Sequence, residues 1–327
     1  MQLQKRRAFL AAVSGTTAAA LAGCLGGDTQ QQTTASGEVL ASASFFVFGD
    51  IARHVAGDTA TAETLVPLGQ HGHGWEPGPD VQGRILESTL FVHGMADFQP
   101  WADDIVASLD ADGADVVSVD IAADVDLHAF DATHHDEAHS ETDEEHGTDA
   151  VDPHFWMDPE RVATATKTLR DAFQSVDDAN AEAYAENTDS YVTALSDLDT
   201  AFEQGLESRE RDVILVAGHD AFGYLAERYD FDVVALTGLS PDDDPSPRDI
   251  ERAQAAIEEH GIRHVLADPL EPDRAAKQLV AETAAESVLP LTSIPGLTAE
   301  WDDEEWGYID IVREVNLPSL QTALGVR

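Results

Sequence analysis

Two runs of short apolar segments alternating with amphipathic stretches, separated by one long amphipathic stretch, constrain the fold of this chain. In the first run Val39 to Val47, Thr64 to Leu68, Leu90 to His93 and Val116 to Asp120 are predicted strands, with helices predicted over Gly49 to Val55, Asp80 to Leu86 and Gln99 to Leu109. In the second, strands are predicted near Val213 to Ala217, Val233 to Thr237, His264 to Ala267 and Val288 to Thr292. Helices are predicted there near Asp220 to Arg228, Arg248 to His260, Asp273 to Ala285 and Glu305 to Leu324. Pro247 suits a helix start and Gly261 its end. Strands alternating with helices imply mainly parallel sheets covered on both faces, an α/β fold. Between the runs, helices are predicted over Pro159 to Ser175 and Asp177 to Leu206. In the second of these Tyr184, Asn187, Tyr191, Leu195, Leu198, Phe202 and Leu206 recur at spacings of three or four, one continuous face. So long a helix reads either as a surface helix of one domain or as a rigid strut joining two parallel-sheet lobes, with a cleft between them.

The N-terminus has a different character. Lys5-Arg6-Arg7 precedes an apolar small-residue run from Ala8 to Ala22, the order of an export signal, and the paired arginine before Ala-Phe-Leu resembles a twin-arginine signal. The run is short for a spanning helix. The only cysteine, Cys24, ends Leu21-Ala22-Gly23-Cys24, which resembles a lipobox whose cysteine carries lipid. A single cysteine excludes an internal disulfide and a cysteine-based zinc site. The polar Gly/Gln/Thr/Ser-rich stretch after it reads as a flexible tether. The expected organisation is therefore an export signal over 1–24, a tether over 25–37, an N-terminal lobe over 38–158, connecting helices over 159–206 and a C-terminal lobe over 207–327.

Acid is spread over the whole chain. With 63 acidic and 18 basic residues, a formal charge of −45 argues against nucleic acid or an anionic membrane surface as partner. It fits a high-salt, halophilic setting, in which carboxylates keep the surface hydrated and salt screens their repulsion. Residues 128–152 have almost no apolar side chains and are predicted to form a mobile acidic loop. Its five histidines, His128, His134, His135, His139 and His146, suit weak, exchangeable metal binding, although a solvated charge run would have a similar composition.

Three further histidines stand in distinct settings: His73 in His-Gly-Trp-Glu-Pro-Gly-Pro-Asp, His154 in Val-Asp-Pro-His-Phe-Trp-Met-Asp-Pro, and His219 in Val-Ala-Gly-His-Asp-Ala-Phe-Gly-Tyr-Leu. Each lies beyond a predicted strand or near a predicted helix start, where α/β sheets bind ligands. Gly218, just before His219, is placed to let the backbone turn sharply. Three neutral imidazoles meeting at one point make a site for a borderline divalent metal, zinc first. Such a site should weaken as pH falls through the imidazole range near 6.5. Three histidines plus a water also describe a hydrolytic zinc, with Glu76 and Asp220 as candidate bases, and an adhesin or metal-buffering protein would use the same fold.

From about Val39 to the C-terminus the chain resembles the zinc and manganese receptors of ABC-type metal importers. The resemblance lies in His73 of His-x-x-Glu-Pro, His154 of Asp-Pro-His-x-Trp and His219 of His-Asp-Ala-Phe-x-Tyr, and in Asn180 to Leu198, which is similar to that family's connecting helix. It implies two α/β lobes joined by a rigid helix, a metal site in the interlobe cleft, and no enzymatic activity. It also implies an exported lipoprotein, anchored at Cys24 to the outer face of the cytoplasmic membrane, that delivers metal to a permease and its ATPase. The His-rich loop and histidine at the third motif resemble zinc-type members, with manganese the alternative cargo. The pattern departs at the fourth ligand: family members often carry an Asp at the end of the last strand, but Val288-Leu289-Pro290-Leu291-Thr292-Ser293 has no carboxylate. A water, a loop histidine, His71, Glu76 or Asp268 are the candidates for that position or for holding the ligands from behind.

Overall fold

Parallel pairing gathers each run of strands into its own sheet. The computed structural model describes residues 38–72, 74–129, 151–241 and 243–327. The expected export signal and tether (residues 1–37), Cys24, His73, His134, His135, His139 and His146 lie outside the described residues. Strands β1 (Leu40–Ala43), β2 (Thr61–Thr64), β3 (Leu90–His93) and β4 (Val117–Asp120) form a sheet in the order β2-β1-β3-β4. Strands β5 (Val213–Val216), β6 (Asp232–Ala235), β7 (His264–Ala267) and β8 (Ser287–Pro290) repeat that order as β6-β5-β7-β8. Helices α1 (Phe46–Ala56), α2 (Pro79–Glu87) and α3 (Pro100–Asp112) connect the first set, and α6 (Gly223–Tyr229), α7 (Pro247–His260) and α8 (Arg274–Glu282) the second. Between them run α4 (Pro159–Val176) and the long α5 (Ala181–Leu206). In each sheet the winding direction reverses beside the first strand, between β1 and β3 and between β5 and β7. The crevice at the carboxyl ends of such strands is where α/β sheets take ligands.

Helix α5 buries Tyr184, Thr188, Tyr191, Leu195, Leu198, Phe202 and Leu206. Asn187, expected on that stripe, instead donates from its side chain to Val55 O (3.0 Å). One apolar core runs through both lobes and the strut, including Phe48, Trp156, Leu195, Phe202, Leu266 and Leu320. The outer faces of the two sheets have cores of their own, around Ile85, Phe91 and Trp101 and around Leu215, Ile257 and Val265. A core shared across lobes makes a rigid body, because sliding one lobe on the other would expose packed apolar surface. The buried Asp50 of α1 adds a polar tie, accepting from the Tyr191 hydroxyl on α5 (3.2 Å) and from Tyr308 N (3.2 Å).

Three expected elements take other forms. The run Val39 to Val47 stops as a strand at Ala43, and α1 begins at Phe46. Phe45, Phe46, Val47 and Phe48 are all buried, so the sequence offers no period to tell helix from strand. The second strand lies at Thr61–Thr64 rather than over Thr64 to Leu68; Leu65 and Val66 pack inward from the loop, and Leu68 is exposed. The single helix expected over Glu305 to Leu324 is three pieces preceded by α9 (Ala299–Asp303): α10 (Tyr308–Ile311), a π-helical turn Val312–Asn316 and α11 (Leu317–Leu324). The wider turn directs the buried Asn316 amide to Thr292, accepting from its N–H (2.9 Å) and donating to its carbonyl (2.9 Å). The backbone beyond β8 is satisfied by that side chain instead of a neighbouring strand.

Candidate metal centre

The facing ends of the two sheets bring together side chains from four separate stretches of sequence. The first is the loop after β2, which crosses the mouth of its sheet and is held by backbone bonds to the opposite lobe, Gly69 N to Leu297 O (2.8 Å) and Gly72 N to Pro295 O (3.0 Å). The buried Gln99 fixes the same loop from its own lobe, donating to both Gly72 O (3.1 Å) and Ser44 O (3.1 Å). Gly72 passes so close to its surroundings that a Cβ there would lie 2.6 Å from the Phe45 ring and 2.9 Å from Pro295 O. This loop carries His71.

The second stretch is the turn before α4. His154 is fully buried, and both its backbone N–H (2.9 Å) and its Nδ1 (2.8 Å) bond Asp152 Oδ1. With Nδ1–H donating to a carboxylate, Nε2 becomes the ring's lone-pair nitrogen, the arrangement that orients a metal-binding imidazole. Burial, then the nearby His219, hold the His154 pKa well below the usual imidazole range, so the ring stays neutral and competent as a ligand. Burial also pushes Asp152 up to about 6. The following residues lock the turn: Trp156 Nε1 donates to Ser293 O (2.7 Å) and the Tyr308 hydroxyl to Trp156 O (2.6 Å).

The third and fourth stretches follow β5 and β7, the strands flanking the reversal in the second sheet. His219 is buried, with its ring centroid 5.3 Å from that of His154 and 5.9 Å from that of His71. Glu271 Oε1 lies 3.0 Å from His219 Nδ1 and 3.3 Å from His71 Nε2. His71, His219 and Glu271 each offer a ligand atom, all within 4.8 Å of one another, a spacing that can hold one metal ion. Burial raises the Glu271 pKa, but hydrogen bonding with His219 and His71 outweighs it and brings the carboxyl down to about 2. Glu271 is therefore an anion throughout the pH range in which imidazole binds metal.

His71, His154 and His219 are gathered at the mouth, with Glu271 added. Asp268 is buried and turned to the backbone: Oδ1 accepts from Leu270 N (2.8 Å) and Oδ2 from Ser293 N (3.0 Å), bracing the two loops beyond β7 and β8. Glu76 is exposed. His128 lies away from the group, stacked on Tyr224 (4.3 Å) and 3.1 Å from Glu227 Oε2. Gly218 does not take a positive φ. Its role is room: a Cβ there would stand 2.9 Å from Glu271 Oε2. Sequence reasoning missed Glu271, which sits two residues beyond Pro269 with no histidine beside it. The detectable signal was strand order, because β5 and β7 are neighbours and the loops leaving their carboxyl ends must meet.

A family model described as ZnuA, zinc-uptake complex component A periplasmic, matches residues 42–323. The high-affinity zinc uptake system protein ZnuA of Bacillus subtilis is 28% identical over 308 residues, 94% of this chain and 94% of that protein. Among solved structures, the metal-dependent lipoprotein YcdH of Bacillus subtilis aligns with a TM-score of 0.73 at 26% identity, over 88% of this chain and 100% of that one. The zinc-bound ZnuA-like domain of Streptococcus pneumoniae AdcA gives 0.72 at 24% identity, over 88% and 99%, a likeness of fold. Both agree with the two-lobe α/β architecture described above.

Proposed function

We propose, since this chain belongs to the ZnuA family of zinc-uptake components, that it captures one zinc ion between its lobes and delivers it to a membrane permease driven by an ATPase. The family consists of extracytoplasmic metal receptors and not enzymes. The observation that carries the reading is the convergence of His154, His219 and Glu271 with the His71 loop where the sheet ends face each other. The proposed ligand set is His154, His219, the Glu271 carboxylate and one imidazole of the loop Gln70-His71-Gly72-His73. His71 stands beside Glu271 in the structure, and His73 is the loop histidine favoured by the sequence motif. Three nitrogens and one carboxylate oxygen complete a tetrahedron suited to zinc, and the imidazole-rich set favours zinc over manganese. A carboxylate in the fourth place also leaves no open position for the activated water that a hydrolase needs.

The export signal, lipidation at Cys24 and anchoring through the tether belong to the same proposal, as does adaptation of the acidic surface to salt. Competition of zinc and manganese against a chromophoric chelator tests the reading. Tight 1:1 zinc binding with manganese much weaker is the expected result, and weak multi-site binding would overturn it.

Gly218→Ala forces a methyl group against Glu271 Oε2 and is expected to lower zinc affinity about 10-fold or more while leaving urea unfolding of the metal-free protein nearly unchanged. Unchanged affinity in that titration would remove Glu271 from the ligand set. Deleting residues 130–148 is expected to preserve the tight site and abolish any additional weak zinc binding, measured in the same competition. The bridge between Ala129 and Val151 holds the ends of that segment together, so the deletion does not have to span a gap.

A further inference from the structure

His154 and His219 are 65 positions apart in the chain, yet one short helix holds the segments that carry them, at two points on either side of His154. Helix α6 starts four residues after His219. Tyr224 and Arg228, one turn apart on it, lie on the same face. The Tyr224 hydroxyl donates to Asp152 O (2.8 Å) and accepts from His128 N (2.9 Å), and Asp152 in turn holds His154 through Nδ1. Gly223 lets this contact form, since a Cβ there would come 3.2 Å from Asp152 Oδ2. On the other side of His154, Arg228 reaches Asp158 (3.5 Å), which caps α4, and Glu160 (2.8 Å). Its fork is fixed by two parallel bonds to Asp199 of α5, Nε to Oδ1 (2.6 Å) and Nη2 to Oδ2 (2.7 Å). Tyr229 donates to the same carboxylate (2.9 Å). The guanidinium is therefore held on the strut before it reaches the His154 segment.

We propose that α6 is a splint that sets the separation of the His154 and His219 imidazoles, with Tyr224 and Arg228 as its positioning residues. This rests on the zinc-site reading above and extends it to the residues that position the ligands. The edge between these two ligands is built during folding, so little ordering is left for the metal to impose there. Loop imidazole and carboxylate then close on a fixed pair. Neither positioning residue touches the metal.

The test uses the full chain and Tyr224→Phe, Arg228→Met and, as a control, Arg263→Met. The last removes an exposed ion pair with Glu286 at the opposite end of the second sheet. Zinc affinity is read by chelator competition, coordination geometry by the visible ligand-field spectrum at saturating cobalt(II), and folding by urea unfolding of the metal-free protein. Tyr224→Phe keeps the ring and loses only the hydroxyl, so it decides the matter if Arg228→Met does not fold. The expected result is an affinity loss of about 10- to 100-fold for both site variants, with shifted or weakened cobalt bands, and no change for Arg263→Met. A parental cobalt spectrum in Tyr224→Phe at saturation, whatever its stability, overturns the splint and leaves the zinc site standing. A parent chain without a tight site overturns the zinc reading and the splint together.

Discussion

His219→Ala is expected to lower zinc affinity by more than about 100-fold, beyond the loss typical for groups that only support a ligand. The substitution removes a donor and also one of the two imidazoles bonded to Glu271, whose carboxyl the pair holds down to about 2. Glu271→Gln keeps the shape and removes the charge, and is expected to fall between His219→Ala and the parent. Competition with a chromophoric chelator measures both. An affinity for His219→Ala within a few-fold of the parent would mean that zinc binds somewhere other than between the lobes. His154→Ala is the companion case, since that buried ring is neutral and aimed by Asp152.

Trp156→Ala is expected to cost about 3–5 kcal/mol of stability, among the largest effects of any single change in this chain. The indole is fully buried against Phe45, Phe48 and Phe98, with ring centroids 4.9, 5.9 and 5.6 Å away. It also joins the His154 turn to the second lobe through Ser293 O. Trp156→Phe keeps much of the packing and gives up that bond, for a smaller loss of about 1–2 kcal/mol. Urea unfolding of the metal-free protein distinguishes the two. A Trp156→Ala midpoint close to that of the parent would contradict a single core shared by both lobes. Zinc binding by the same variant should weaken as well, because the His154 ring rests 5.3 Å from the indole.

What the sequence reveals depends on whether a residue's surroundings repeat along the chain. The strut was legible because Tyr184 to Leu206 face one core for many turns, and so a period survives. Strands β3 and β7 have the bounds expected of them because runs of three apolar residues, each extended by one histidine, end at turn residues. Where both faces are buried, as at Phe45 to Phe48, helix and strand leave the same mark. The break in the C-terminal helix depends on Asn316 meeting Thr292 across 24 residues, a contact no local window contains. The site shows the same division. His154 and His219 stand in distinctive local settings, and both reach the group at the sheet ends. Glu271 is one carboxylate among 63 acidic residues, and only the adjacency of β5 and β7 brings it to His219. Gly218, next to His219, has a local explanation in the sequence and a different, spatial one in the fold.

Anomalous diffraction at the zinc edge, from crystals of the zinc-loaded protein, tests the central claim most directly. The account predicts one dominant peak between the lobes, about 2.0–2.2 Å from the His154 and His219 imidazoles, the Glu271 carboxylate and a single imidazole of the His71 loop. A dominant peak bound by other residues, or a peak at the sheet ends with Glu271 turned away from it, would contradict it.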